Sequence, residues 1–239
     1  MDLDRITRPL RLAKGSHRPE SGMGCAMNAI SYIGGDTQIT DFPATSARPL
    51  AAFVQLCNDL LAGPDGYLSS ENSFLALELG WQTVGTAVVA DTVIHAWVAE
   101  LLTSPAWGVV QYADNAGVEA IVDIAELHRA LASGAMPSIA AWHSADCAAR
   151  AVCATLAGAD VYAIRSAYQS TALVDTERCE TLDAVAGNAL RAHELATAGT
   201  GADRIVEVTR HAISSWRFLA ELANPGHIDP ASVDSALDT

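Results

Sequence analysis

Apolar residues recur at helical spacing along most of this chain and at strand spacing almost nowhere. The clearest stripe is Leu50, Phe53, Val54, Cys57, Leu60 and Leu61, with Ser46 placed as an N-cap, Pro49 near the first turn and Gly63 past the end. Upstream, Ala26, Met27, Ile30 and Ile33 predict a short helix from Met23 or Cys25 to Ile33, stopped by Gly34-Gly35. Downstream, Ser69 or Ser70 opens a segment whose Phe74, Leu75, Leu77, Leu79, Trp81 and Val84 cover most of its circumference, the pattern of a central helix.

The second half repeats this pattern. From Thr86 or Asp91, Val93, Ile94, Trp97, Val98 and Leu101 predict a helix stopped by Ser104-Pro105. Val118 to Ala132 predicts another, with Ile121, Val122, Ala125 and Leu127 or His128 inward. Beyond Pro137 the stripe runs through Ile139, Trp142, Val152 and Leu156, breaks at Gly158 and resumes to Tyr168, so two helices or one kinked helix are expected. Asp175 is placed to cap a helix carrying Leu182, Val185, Ala189 and Ala192. Asp203 is placed to cap one carrying Ile205, Val208, Ala212, Trp216 and Leu219. The β-branched pairs Val88-Val89 and Val109-Val110 lack alternating neighbours and predict no sheet.

The expectation is an all-α protein: a single bundle of about eight to ten helices with little or no sheet. One helical domain over residues 1–223, with a motif-bearing module at 15–59 and a flexible acidic tail at 224–239, is preferred to a division near Pro137. No repeat at a fixed period interrupts it.

Composition changes this picture in three ways. Half of the 239 residues are hydrophobic, only 18% are charged and the mean hydropathy is +0.20, which points to very complete burial or to an apolar contact such as a homo-oligomer interface. The net charge of −14 opposes nucleic-acid phosphates and anionic membranes, and the acids are too scattered for the rows that an acidic DNA mimic needs. Charge-free stretches such as Leu101 to Ala113 fall short of the ~20 apolar residues of a membrane span, and the first residues do not read as a secretory signal, so a cytoplasmic location is expected. The five cysteines form no C-x-x-C pair, as expected of reduced thiols, and the scarcity of lysine beside abundant alanine has the imprint of a GC-rich genome.

The chemistry-bearing residues gather between Gly15 and Asp59. His17, Cys25 and Asp41 are the candidate metal ligands, since a zinc site needs three or four converging donors; as a catalytic set, Cys25 is the nucleophile, His17 its base and Asp41 or Asp59 the orienting acid. Set against this is a structural reading in which Gly15, Ser16, His17, Cys25, Asp41, Pro43, Asn58 and Asp59 form a hydrogen-bonded scaffold, and that reading is preferred. His143 and Cys147, at i,i+4 beside Asp146, and the pairs His193-Glu194 and Glu207-His211 are weaker candidates with solvated-face alternatives. Phosphate-loop, dinucleotide, nucleophile-elbow and zincin motifs do not occur in the sequence, and no cofactor is expected.

Gly15-Ser16-His17, Gly24-Cys25-Ala26-Met27-Asn28, Gly34-Gly35, Thr40-Asp41-Phe42-Pro43 and Asn58-Asp59 together resemble a family of uncharacterised actinobacterial and mycobacteriophage proteins. That family carries a G-S-H turn, a G-x-C-x-M-E helix, a G-E turn, an S/T-D-x-P loop and a helix ending in N-D. The chain departs from it at Asn28, where the family has Glu, at the shifted acidic turn Gly35-Asp36, and at Thr45, where the family has Cys. The resemblance implies a phage or prophage protein that acts by binding another protein, with a bacterial host protein as partner. A metal-dependent enzyme or small-molecule binder centred on His17, Cys25 and Asp41 is the alternative.

Overall fold

The computed structural model describes residues 11–15, 23–174, 178–197, 201–223 and 225. Nine α-helices account for most of them, and the only ladder among them is a two-residue parallel pair, β1 (Arg11–Leu12) against β2 (Met23–Gly24). The all-α class expected from the apolar spacing is what the chain adopts. The described residues fall into two compact units, one up to Val88 joined by the residues from Leu222, the other Val89–Glu221. Pro137 lies within the second.

In the first unit, α1 (Ala26–Gly34), α2 (Arg48–Leu61) and α3 (Ser70–Gln82) share a core. Helix α1 starts where Cys25 is extended and stops at Gly35, whose φ of 82° is left-handed backbone that an L side chain resists. The α2 stripe buries Leu50, Phe53, Val54 and Cys57 completely or nearly so, each large side chain contributing roughly 1.5–3 kcal/mol. Ser46 does not cap this helix. Its hydroxyl is drawn 2.7 Å from Thr83 Oγ1 beside the bridge between Ser46 and Val84, and the helix begins after Ala47, whose N–H donates to Thr86 Oγ1 at 2.9 Å. In α3, Ala76, Leu77 and Leu79 are buried while Phe74, Leu75 and Trp81 are half-buried, so its apolar circumference is only partly covered. Its Gly80 faces α1: a Cβ there would lie 2.9 Å from Ile30 Cγ1, so two helices approach at the one residue without a side chain.

In the second unit, α4 (Asp91–Thr103), α5 (Asn115–Ala132), α6 (Ile139–Cys153), α7 (Ala159–Ser170), α8 (Arg178–Ala196) and α9 (Gly201–Leu219) pack around Trp97 and the alanine-rich faces. Trp97 Nε1 donates to Ala212 O at 2.9 Å, and its ring meets Trp216 edge-on at 5.2 Å. Capping side chains mark the starts of α5 and α6: Asp114 Oδ1 accepts from Gly117 N at 2.8 Å, and Ser138 Oγ from Ala141 N at 3.2 Å. Gly158, at φ 79°, separates α6 from α7, so the interrupted stripe makes two helices. Val109-Val110 belongs to a 3-10 turn, Val109–Tyr112, and a second such turn, Thr171–Val174, follows α7. Asp203 sits inside the first turn of α9 and so favours the helix through its dipole. Asp175 lies outside the described residues.

Candidate functional site

Cys25, Asp41, Asn58 and Asp59 meet in the first unit. The Cys25 sulfur takes the backbone N–H of Asn28 while Asn28 Oδ1 takes the backbone N–H of Cys25 at 3.0 Å, a reciprocal capping box built on cysteine. Asn28 Nδ2 then donates to Asp41 Oδ1 at 2.7 Å, and the Cys25 thiol points at the same oxygen from 3.5 Å. Gln55 Nε2 donates to the Asp41 carbonyl at 3.0 Å. From α2, Asn58 bonds both sides of its neighbours: Oδ1 accepts from Ala26 N at 3.1 Å and Nδ2 donates to Ala13 O at 2.8 Å. Asp59 Oδ1 accepts from Gly15 N at 2.8 Å, and Pro43 O accepts from Ser46 N at 3.0 Å. Ser16 and His17 lie outside the described residues.

Gly15, Cys25, Asp41, Gln55 and Asp59 line a cleft of about 60 Å³, room for a few water molecules. Burial, reinforced by the Asp41 charge, pushes the Cys25 thiol up to about 12, so at neutral pH it is a protonated donor. A cysteine nucleophile must be a thiolate. What the described residues build is therefore a cap and a tether, with Cys25 as N-cap and Asn58 as a buried cross-link of three chain segments. Among the described residues no three His, Cys, Asp or Glu side chains converge as metal ligands.

The second unit holds a cleft of about 310 Å³ between α6 and the turn Thr171–Val174. One end is apolar, formed by Ile139, Trp142 and Val174, with Ile139 77% exposed and Met136, three residues earlier, 83% exposed. The other end is ionic. Arg150 Nε donates to Asp146 Oδ2 at 2.8 Å, Thr171 Oγ1 lies 3.3 Å from Asp146 Oδ1, and the guanidinium stacks 4.2 Å above the Tyr168 ring. The two terminal nitrogens of Arg150 have no partner among the described residues.

Behind this cleft runs a buried polar chain. Trp142 packs edge-on against His128, whose Nδ1 is 2.8 Å from His95 Nδ1 and whose Nε2 is 2.8 Å from Ser170 Oγ. Ser170 also donates to Ala167 O at 2.6 Å. All three contacts are satisfied when His95 Nδ1–H donates to His128, and His128 Nε2–H donates to Ser170. His128 is held neutral, its pKa well below the ordinary value because of burial and then the neighbouring His95. Ser170 is wholly buried and already donating, so this serine–histidine pair is a core strut and offers no nucleophile to a substrate. Inward placement of His128 is readable from its stripe; its partners on three other helices are not.

The remaining candidates separate. His143 and Cys147 are both exposed on α6, 3.7 Å apart through Nε2 and Sγ, and the residue between them that turns inward is Asp146. His193 is buried between Tyr112 OH, 2.7 Å from Nδ1, and Trp107 O, 3.0 Å from Nε2. Glu207 pairs with Arg204 at 2.9 Å and lies 3.8 Å from His211. Among the described residues no carboxylate bridges His193 and His211. Comparison with protein families, curated proteins and solved structures returns no match.

Proposed function

We propose that this chain acts by binding another protein, and that the cleft of the second unit is the contact. The observation that carries this reading is the apolar side chain of Ile139, left in solvent at its lip beside the buried indole of Trp142. A groove with an apolar anchor point and one fixed ionic group is the usual form of a peptide-accepting surface. The Cys25–Asp41 cluster supports the scaffold role instead, since its thiol is protonated and its polar atoms face one another.

The motif between Gly15 and Asp59 supports an actinobacterial phage or prophage origin, with cytoplasmic action on a protein of the bacterial host. No described helix is long and apolar enough to cross a membrane. The test is capture from an actinobacterial lysate with the wild-type chain and with Ile139→Asp in parallel, followed by reconstitution with the purified captured protein. A partner that reconstitutes with wild type and is lost with Ile139→Asp is the expected result. Identical capture by both proteins, or failure to reconstitute, ends the reading; a self-associated wild type that Ile139→Asp makes monomeric in sedimentation would assign the lip to a second copy of the chain.

A further inference from the structure

On its solvent side α6 carries two metal donors one helical turn apart. Independently of what the cleft receives, we propose that His143 and Cys147 hold a divalent ion of the zinc class, and that the same pair on a second copy of the chain supplies its other two ligands.

Three observations lead there. The first is separation. At metal–donor lengths of about 2.0–2.3 Å, the nitrogen and sulfur of one tetrahedral zinc ion stand about 3.6 Å apart. Cys147 Sγ lies 3.7 Å from His143 Nε2 and 4.0 Å from Nδ1, a distance set by their i,i+4 placement on one helix. Both side chains are exposed, so the imidazole is free to turn about its own axis and aim Nε2 at the ion.

The second is incompleteness. Among the described residues no third His, Cys, Asp or Glu joins the pair, and Asp146 between them turns away to Arg150. Zinc in a structural site takes four protein ligands, so two per chain is half a site.

The third is the surface around the thiol. Ala140, Ser144, Cys147 and Ala151 fall at the alternating four- and three-residue spacing of a helix-packing seam, and all four are exposed. None of them carries a formal charge at neutral pH as a thiol, alanine or serine, on a chain whose net charge is −14, so this face is one that a second copy can approach without like-charge repulsion. The cysteine side chain is short, and two copies share an ion through it only where their helices come within about 8–10 Å, which small neighbours permit. An antiparallel copy of α6 related by a twofold axis beside Cys147 sets one His143–Cys147 pair against the other. The two thiolates then balance the ion, each Cys147 having released its proton to solvent.

The test uses the full-length chain without an affinity tag, stripped of metal, kept reduced, and titrated with zinc or with cobalt as its coloured substitute. Sedimentation should show a monomer becoming a dimer at one ion per two chains, and cobalt should give a thiolate charge-transfer band in the near ultraviolet. Cys147→Ser should remove both the band and the dimer, and His143→Ala should weaken binding at least about tenfold. Ser144→Glu leaves both donors in place but puts charge in the seam, and it should hold the chain monomeric. All three residues are exposed, so each variant should keep the circular dichroism of the wild type.

Absence of a metal-dependent dimer, a cobalt–thiolate band that survives Cys147→Ser, or one ion bound per monomer would overturn the assignment. So would a dimer that persists in chelator and in Cys147→Ser, which would make the seam a helix contact without metal. Capture of another protein that depends on Ile139 is decided separately from each of these outcomes.

Discussion

Asn28 Nδ2 donates to Asp41 Oδ1 at 2.7 Å, and this bond ties the first turn of α1 to the loop that follows the helix. The same amide caps Cys25 with its other atom, so one side chain serves both a helix terminus and a long-range tether. A glutamate at this position would set a second carboxylate against Asp41.

Asn28→Asp should therefore lower stability by about 2 kcal/mol, because a buried donor becomes a carboxylate facing another. Combining it with Asp41→Asn restores one donor and one acceptor, and at least half of the loss should return. Urea unfolding at pH 7 measures both; a double variant no more stable than the single would remove the pairing from the account.

The thiols should divide by environment. Iodoacetamide with native protein at pH 7.5, a condition about four to five units below the Cys25 value of about 12, should label the exposed Cys147 and leave Cys25 unmodified until denaturant is added. Peptide mass spectrometry reads the sites. Cys25→Ser should keep the cap and cost little, whereas Cys25→Ala should cost about 1 kcal/mol. Rapid native labelling of Cys25 would reinstate it as a reactive residue.

Acid should unfold the second unit through its buried histidines. Burial, and then the charge of Arg204, lowers His193 from 6.5 to about 4, and burial with His95 lowers His128 well below 6.5. Both have depressed folded values, so the unfolded chain binds more protons: their contribution is complete above pH 6.5 and declines as pH falls toward the folded values. For His193 alone the loss by pH 4 is about 3 kcal/mol. Denaturant midpoints between pH 7 and 5 should fall, less steeply in His193→Gln; a flat profile would contradict the burial of both imidazoles.

Gly80→Ala should destabilise the first unit by about 1–3 kcal/mol, although alanine is the better helix former by about 1 kcal/mol. The added methyl meets Ile30 Cγ1 at 2.9 Å, an atom near a branched and stiff Cβ. Thermal unfolding decides it, and an unchanged or raised midpoint would mean that α1 and α3 are not held this closely.

Spacing alone determined the helices of this protein, because a period of 3.6 residues is a property of the chain and each stripe carries its own stop at Gly35, Gly63, Ser104 or Gly158. Residue type and turn placement marked Cys25, Asp41 and Asp59 as candidates, and the resemblance added Asn58. Which atoms of that group face one another was decided by tertiary structure, as was the diversion of Ser46 from cap to Thr83. The cleft at Arg150 was invisible for the same reason: in the sequence Asp146 stands out only as the neighbour of the i,i+4 pair His143 and Cys147. Only the return of the chain through Tyr168 sets a ring beneath that arginine, and such a return depends on how α6 and α7 pack, which local periodicity does not encode.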